Sequence, residues 1–168
     1  MKKLAIALFL LPAFSFAESV DFVGVKYENG AGDAAGIDGY SIGVKSVMDE
    51  KSMLEFSYRN LSSEIDSAYA FSTSLKFALH SFATGSAYIG GAYTWAEYDS
   101  ELNPTVGYAK VTGEGLDYDV AVTFVDEGED AITATLRGPV GDSGLGWSAG
   151  VGSDGDVTVT TLGLNVVF

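Results

Sequence analysis

The sequence contains no cysteine, only one histidine and only three prolines. Without cysteine, neither disulfide bonds nor thiolate metal sites nor cysteine nucleophiles can form. Positive charge is also scarce, because nine Lys and Arg oppose 23 Asp and Glu and give a formal net charge of -14 at pH 7. This balance excludes nucleic-acid binding that depends on phosphate contacts.

Long apolar runs are absent after residue 17, and the run near the start has the form of an export signal. Lys2 and Lys3 precede an apolar segment over residues 4–14, and the small residues of SFA follow it, ending at Ala17. We expect residues 1–17 to be a secretory signal peptide that is cleaved after Ala17, with the folded domain spanning residues 18–168. Loss of the two lysines makes the formal charge of the exported chain -16.

Apolar residues are nevertheless abundant for so acidic a chain. Hydrophobic residues make up 47% of the sequence, glycine occurs 21 times, and the mean hydropathy is +0.20. A chain of 168 residues is long enough for one domain. Because no segment of the exported chain reaches the roughly 18 apolar residues of a transmembrane helix, any contact with a membrane is expected to be made by strands.

Strict alternation of apolar and polar residues is the dominant pattern. In YAFSTSLKFALH (69–80), aromatic and aliphatic residues alternate with Ser72, Ser74, Lys76 and His80. The same alternation occurs in MLEFSYRN (53–60), LDYDVAVTF (116–124) and AITATLR (131–137). This period of two predicts strands with one apolar face each, and no segment shows helical periodicity.

Turn-rich segments separate the strands at hairpin spacing, which predicts an all-β, antiparallel, up-and-down meander. Ten strands are predicted, at 19–27, 39–48, 53–60, 68–80, 86–98, 105–112, 116–125, 131–138, 146–153 and 156–168. Eight strands are the alternative, if 105–112 belongs to a long loop and one C-terminal hairpin lies outside the membrane.

Such a meander can close into a soluble lipocalin-like barrel with its apolar faces inside, or into a transmembrane barrel with those faces towards lipid. Three features favour the transmembrane barrel. The polar faces carry charges at strand centres that can neutralise one another in a narrow lumen, namely Lys45, Glu55, Arg59, Lys76, Asp117, Asp119 and Arg137. The apolar faces carry large aromatics near strand ends, as in membrane-interface girdles, namely Tyr40, Tyr58, Tyr69, Tyr93, Trp95 and Trp147. Longer acidic connections (28–38, 61–67, 99–104, 126–130) alternate with tight ones (49–52, 81–85, 113–115).

The C-terminal segment TLGLNVVF places Leu162, Leu164, Val166 and Phe168 on one face of a strand. A terminal Phe preceded by alternating hydrophobic residues resembles the C-terminal β-signal of Gram-negative outer-membrane proteins. The overall plan is similar to the small OmpA/OmpX-type barrels, although no family-specific motif is present. The resemblance implies that the last strand pairs with the first, that the barrel assembly machinery inserts a monomer, and that the protein contacts outer-membrane lipids and lipopolysaccharide.

For function, the leading hypothesis is a structural or surface-interaction protein whose lumen is filled by side chains, because eight to ten strands enclose little more than those side chains. The alternative is a narrow channel for ions or small solutes. An enzyme is not expected, because His80 is the only histidine and its neighbour Ser81 points to the opposite face of a strand. A soluble periplasmic barrel is the remaining alternative.

The acidic loops are a weak candidate for a metal site. Asp126, Glu127, Glu129 and Asp130 supply oxygen ligands of the kind that bind Ca²⁺ or Mg²⁺, and Asp154 and Asp156 add two more. Neither loop has the spacing of a known calcium motif, so solvated loop charge is the preferred interpretation. We therefore predict no cofactor and no dedicated metal site.

Overall fold

The computed structural model describes residues 22–32, 35–49, 51–63, 67–96, 100–110, 115–125, 130–140 and 143–167. Within these ranges the chain forms ten antiparallel strands and no helix. They are β1 (Phe22–Gly32), β2 (Asp38–Asp49), β3 (Ser52–Ser62), β4 (Ser67–Phe82), β5 (Gly85–Ala96), β6 (Ser100–Lys110), β7 (Asp117–Thr123), β8 (Ala131–Pro139), β9 (Leu145–Ser153) and β10 (Val157–Val167).

Each strand pairs with its sequence neighbours, and β10 pairs with β1, so the sheet closes into a barrel. Phe22 lies opposite Val167 at one end of this last pair, which we call the terminal end of the barrel. Gly32 lies opposite Val157 at the other end, the distal end. Closure gives the backbone groups of both outermost strands a partner and removes the exposed sheet edges that an open meander would have.

The structure confirms the predicted all-β closed barrel and the count of ten strands, so the alternative of eight strands is wrong. Two strand ends differ most from the prediction, by five residues each. β1 ends at Gly32 instead of residue 27, and β6 begins at Ser100 instead of residue 105, so most of the predicted loop 99–104 belongs to β6. Pro104 hid this strand, because proline cannot donate a ladder hydrogen bond. Its carbonyl still accepts a hydrogen bond from the Phe124 backbone at 2.8 Å.

The burial pattern of the barrel is the reverse of that in a soluble protein. Among the described residues, the buried polar and charged ones are Glu28, Ser41, Lys45, Ser46, Ser52, Asn103, Thr105, Asp117, Asp119, Arg137, Ser148 and Asn165, whereas the buried apolar ones are Val44, Tyr88, Ala109 and Ala121. Large apolar side chains are instead exposed on the outer face, with Leu79, Leu102 and Leu164 each 67–70% exposed. The barrel therefore has a polar interior and an apolar exterior.

A change of register in the β4–β5 pair alters the orientation of His80. Ala78 lies opposite Tyr88, but His80, not Leu79, lies opposite Ala87. Because Tyr88 points into the barrel and Ala87 points away from it, His80 shares the outward face, where its ring contacts Phe82 at a centroid distance of 4.5 Å. The simple alternation of 69–80 had predicted His80 on the polar face beside Lys76.

No helix among the described residues is long and apolar enough to cross a membrane.

Glycines let large rings pack flat against the barrel wall. Trp147 lies opposite Gly138, and a Cβ atom added to Gly138 would come within 2.9 Å of the indole ring. Gly91, also on the outer face, has more room, since the nearest atoms to its added Cβ lie at 3.8 and 3.9 Å.

We therefore expect Gly138→Ala to lower the free energy of unfolding by about 1–3 kcal/mol, because the indole must move or strain the sheet. Gly91→Ala is the matched control and is expected to change it by less than about 0.5 kcal/mol. Urea unfolding of the detergent-folded barrel, followed by tryptophan fluorescence, measures both values. Equal effects of the two substitutions would show that the ring contact does not constrain Gly138.

Candidate functional site

The charged side chains predicted to face the lumen come from seven positions on strands β2, β3, β4, β7 and β8. Lys45 lies opposite Glu55, and Asp117 lies opposite Arg137, so each pair forms cross-strand neighbours of opposite charge. Lys45, Asp117, Asp119 and Arg137 are buried, Glu55 and Lys76 are partly buried, and Arg59 is the most exposed. We call Lys45, Glu55, Lys76, Asp117, Asp119 and Arg137 the charged layer.

The best-defined contacts in the charged layer join strands that are not neighbours. The Lys76 ammonium group on β4 lies 2.7 Å from Oδ2 of Asp119 on β7, with β5 and β6 between them. The Tyr88 hydroxyl on β5 donates a hydrogen bond to Oδ1 of the same carboxylate at 2.6 Å, and Lys76 Nζ lies 4.9 Å from the centre of the Tyr88 ring. Both carboxylate oxygens of Asp119 are thus engaged, as a buried charge requires.

Glycine makes this cluster sterically feasible. Gly107 on β6 lies opposite Tyr88, and a Cβ atom there would overlap the phenol group. The ring therefore lies across β6 to reach Asp119 on the strand beyond. Tyr88 belongs to this cluster, although the predicted lumen network contained only charged side chains.

A second ion pair lies nearer the distal end. Arg59 Nε contacts Glu28 Oε2 at 2.8 Å, and the two side chains differ greatly in exposure, 49% for Arg59 and 3% for Glu28. Glu28 was not predicted as an interior residue, because the first strand was predicted to stop at residue 27. The alternation of Val25, Lys26, Tyr27 and Glu28 carries the signal that extends it, since Lys26 and Glu28 face inward.

On the distal side of the charged layer, the lumen contains a cavity of about 260 Å³, which we call the distal cavity. Its wall is made by Lys26, Glu28, Ser41, Glu55, Ser57, Arg59, Lys76, Asp119, Thr133, Thr135, Arg137, Val151, Gly152, Val159 and Thr161. Glu28 lies opposite Thr161 and Ser41 opposite Arg59, pairs that belong to the distal half of the barrel. Lys76, Asp119 and Arg137 form the boundary on the terminal side.

The predicted interface aromatics lie on the outer face, mostly near the distal end. Tyr40 contacts Tyr58 at a centroid distance of 6.3 Å, and Tyr93 contacts Trp95 at 4.3 Å. Tyr69 contacts Phe71 at 6.2 Å. Trp147 lies on β9, near the terminal end, opposite Leu164.

A second group of aromatics near the terminal end was not predicted. Phe82 contacts Tyr108 at a centroid distance of 6.0 Å, and Tyr108 stacks on Tyr118 at 6.0 Å. Tyr108 lies opposite Ala87, eight residues along β5 from Trp95, a separation of roughly 27 Å along the strand. The outer face thus carries an aromatic group at each end of an apolar band.

Several predicted sites fall outside the described residues. These are the signal peptide at 1–17, the acidic residues Asp126, Glu127 and Glu129, and the terminal Phe168. Asp130 is described and accepts a hydrogen bond from the Val125 backbone at 3.4 Å. In the described part of the chain, no group of three or more His, Asp or Glu side chains could hold a metal ion.

In the described part of the C-terminal segment, the three alternating hydrophobic side chains face outward. Leu162, Leu164 and Val166 are 65%, 70% and 41% exposed, whereas the intervening Asn165 is buried. All of them belong to β10 and pair with β1.

No protein-family model matches the sequence, and comparison with curated proteins gives no match. Among solved structures, a KdgM porin is similar over 88% of this chain and 99% of its own, with a TM-score of 0.59 at 9% identity. Chains from de novo designed transmembrane β-barrels and from a KdgM porin in complex with disordered oligogalacturonate each give a TM-score of 0.47, at 11% and 10% identity. The likeness to the first porin structure concerns the fold, and at that level it confirms the resemblance to small outer-membrane barrels.

The Lys76–Asp119 pair provides a direct test of the charged layer. We expect Lys76→Met to lower the free energy of unfolding by about 3–5 kcal/mol, because it leaves the Asp119 carboxylate buried without its cation. The double variant Lys76→Met with Asp119→Asn is expected to lose less than the sum of the single changes, with a coupling of about 0.5–3 kcal/mol.

Denaturant unfolding of the four proteins of this cycle measures the coupling energy. Lys51→Met, in the exposed turn between β2 and β3, is the control for loss of a lysine and is expected to have little effect. A strictly additive cycle would contradict the view that Lys76 and Asp119 stabilise one another.

Proposed function

We propose that this protein is an outer-membrane β-barrel with a structural or surface-interaction role and a lumen filled by side chains. The observation that carries the proposal is the inverted distribution of polarity, with charges such as Lys45 and Asp119 buried and leucines such as Leu164 exposed. In water such an exterior would aggregate, whereas in lipid it is the favourable arrangement. The closed ladder also satisfies the backbone where no water is present.

The same geometry supports an orientation in the membrane. The two aromatic groups bracket the apolar band, as Trp and Tyr do at the two membrane interfaces. An export signal at 1–17 would deliver the chain across the inner membrane, and both termini would then face the periplasm, with the distal end at the cell surface. The acidic loops of the distal end would face lipopolysaccharide, while lipids would surround a monomeric barrel.

The contacts of the charged layer support a structural or surface-interaction role for a barrel that has no open pore. Lys76 and Asp119 join β4 to β7 across part of the lumen, and Tyr88 fills the space beside them. A diffusion pore needs a continuous water path, and the contacts of this cluster cross part of the lumen in which that path would lie. We therefore propose a non-enzymatic protein that acts through its surface loops.

A narrow channel is the second candidate, and the distal cavity is the observation that favours it. This cavity occupies the distal half of the lumen and reaches the charged layer, so rearrangement of a few side chains would extend it towards the periplasm. The similarity in fold to a KdgM porin is compatible with such a role.

Cell fractionation tests the proposed location. We expect the full-length protein in the outer-membrane fraction and expect its mobility in gel electrophoresis to change on heating, because folded barrels resist detergent unfolding. A variant lacking Phe168 is expected to assemble poorly, since the terminal aromatic belongs to the proposed assembly signal.

The control is Phe124→Ala, which removes an exposed phenylalanine outside the C-terminal strand. This variant is expected to fractionate as the unaltered protein does. Recovery of the full-length protein in the soluble periplasmic fraction would contradict the proposal and would indicate that the barrel is not a membrane protein.

Planar-bilayer recording separates the two candidate functions. We expect the unaltered barrel to show no steady conductance, because the side chains of the charged layer narrow the lumen. The double variant Lys76→Ser with Asp119→Ser is expected to conduct, which would also demonstrate insertion into the bilayer. Steady conductance steps from the unaltered protein would instead favour the channel.

A further inference from the structure

The two sides of β6 are paired over different lengths. On one side, β6 pairs with β5 as far as Ser100, which lies opposite Trp95. On the other side, its pairing with β7 covers only residues 105–110, because β7 is short and ends at Thr123. In the described part of the chain, no strand therefore pairs with residues 101–103 on the β7 side. We call these three residues the distal edge of β6.

Pro104 marks the point where the pairing of β6 with β7 stops. The backbone N–H of Phe124 donates a hydrogen bond to the Pro104 carbonyl at 2.8 Å, but proline has no N–H with which to return a second bond. In an antiparallel ladder, every second residue directs its N–H and C=O to the same side. The backbone groups of Leu102 therefore point to the same side as the Pro104 carbonyl, and such an edge is a template for a further strand.

The distal edge of β6 lies at the level of the distal aromatic group. Leu102 lies opposite Tyr93, which contacts Trp95, and the Leu102 side chain is 67% exposed on the outer face. In the proposed orientation, this level is the membrane interface at the cell surface. Backbone groups there are reached by water and not by hydrocarbon, so the edge can exist in the membrane-embedded barrel and is accessible to a partner from outside.

The inner side of the distal edge presents hydrogen-bond acceptors. Asn103 Nδ2 donates to Glu101 Oε2 at 3.1 Å, which leaves the Asn103 Oδ1 atom as an acceptor. Asn103 is only 9% exposed, and its Oδ1 has no hydrogen-bond partner among the described residues. No described Lys or Arg forms an ion pair with Glu101. Both side chains are therefore complementary to the donors of a cationic side chain.

From this arrangement we infer that the distal edge of β6 binds an extended peptide segment of a partner protein, which adds to the sheet as a strand. In antiparallel addition, the residue opposite Leu102 exchanges two backbone hydrogen bonds with it and places an apolar side chain on the outer face. The residues on either side of it face Glu101 and Asn103 and are basic. This basic–apolar–basic segment is opposite in charge to a chain of net charge -14. The inference rests on the proposed surface-interaction role and names its surface and the chemistry of its partner.

The inference is tested with the fluorescein-labelled peptide acetyl-Lys-Val-Lys-Val-Lys-amide and the full-length barrel folded in a non-ionic detergent. Fluorescence anisotropy measures binding, which we expect to be saturable. N-methylation of both valines removes the N–H groups that face β6 and is expected to weaken binding by about 10-fold or more. N-methylation of the second and third lysines alters N–H groups that point away from β6 and is expected to have little effect.

Two outcomes of the peptide experiment would overturn the inference. The first is the absence of saturable binding by the unmodified peptide. The second is equal binding of the two methylated peptides, which would show that lysines are attracted to the acidic barrel without addition of a strand. Because these measurements use the unaltered protein, they do not depend on the folding of any variant.

Four variants locate the site. Leu102→Pro removes the N–H that faces away from β5 and is expected to weaken peptide binding by about 10-fold, whereas Leu102→Ala keeps this N–H and is expected to weaken it by about 5-fold or less. Glu101→Gln is expected to weaken binding by about 3- to 10-fold, through loss of its charge. Asp154→Asn, which removes the same charge from an exposed turn at the distal end, is expected to bind as the unaltered protein does.

Heat-modifiable gel mobility shows whether each variant has folded. If folded Leu102→Pro binds the peptide as tightly as the unaltered chain, the assignment of the site is wrong. Sedimentation of the barrel alone tests for a second copy of the chain as the occupant, and a dimer that Leu102→Pro dissociates would also overturn the inference. All of these experiments use the purified barrel, so their outcome is independent of the cell fractionation that tests the proposed function.

Discussion

The pairing of β10 with β1 is the interaction on which the rest of the structure depends. Eleven registered positions join the two strands, from Phe22 with Val167 to Gly32 with Val157. Without this pair the meander would expose two strand edges and the interior would open to one side. With it, the inward-facing charged side chains lie in a closed lumen, where positive and negative charges must balance one another. The ion pairs and the distal cavity are both consequences of closure.

Alternation along the chain was sufficient to predict the barrel, because a period of two is a local property of each strand. The ends of strands were less predictable where residues that are unfavourable in strands interrupt the alternation of apolar and polar side chains. Pro104 disguised the first half of β6, and the asparagine and glycines after Glu28 disguised the last third of β1. The orientation of His80 was unpredictable for another reason, since the extra residue in β4 is defined only by pairing with β5.

The contacts inside the barrel were harder to predict than the strands, because side chains from strands that are not neighbours meet there. The sequence identified the inward charges of the charged layer by their face, but it did not indicate that Lys76 would contact Asp119, 43 residues away. The bare backbone of Gly107 also lets the Tyr88 ring lie across β6 and reach the same carboxylate. The distal cavity was equally hidden, since its wall is assembled from strands at both ends of the chain.

The bridge between Lys76 and Asp119 also has a mechanical consequence. A thin-walled tube deforms most easily by ovalisation, in which one diameter lengthens as the perpendicular one shortens. Because the bridge joins β4 to β7 inside the wall, it acts as a tie along one chord and resists separation of those two strands. Among the described residues, the opposite part of the wall, from β8 through β10 and β1 to β3, contains the Arg59–Glu28 ion pair, in which the Arg59 side chain is half exposed. Lateral pressure from the surrounding medium would therefore change the cross-section mainly on the side of the distal cavity.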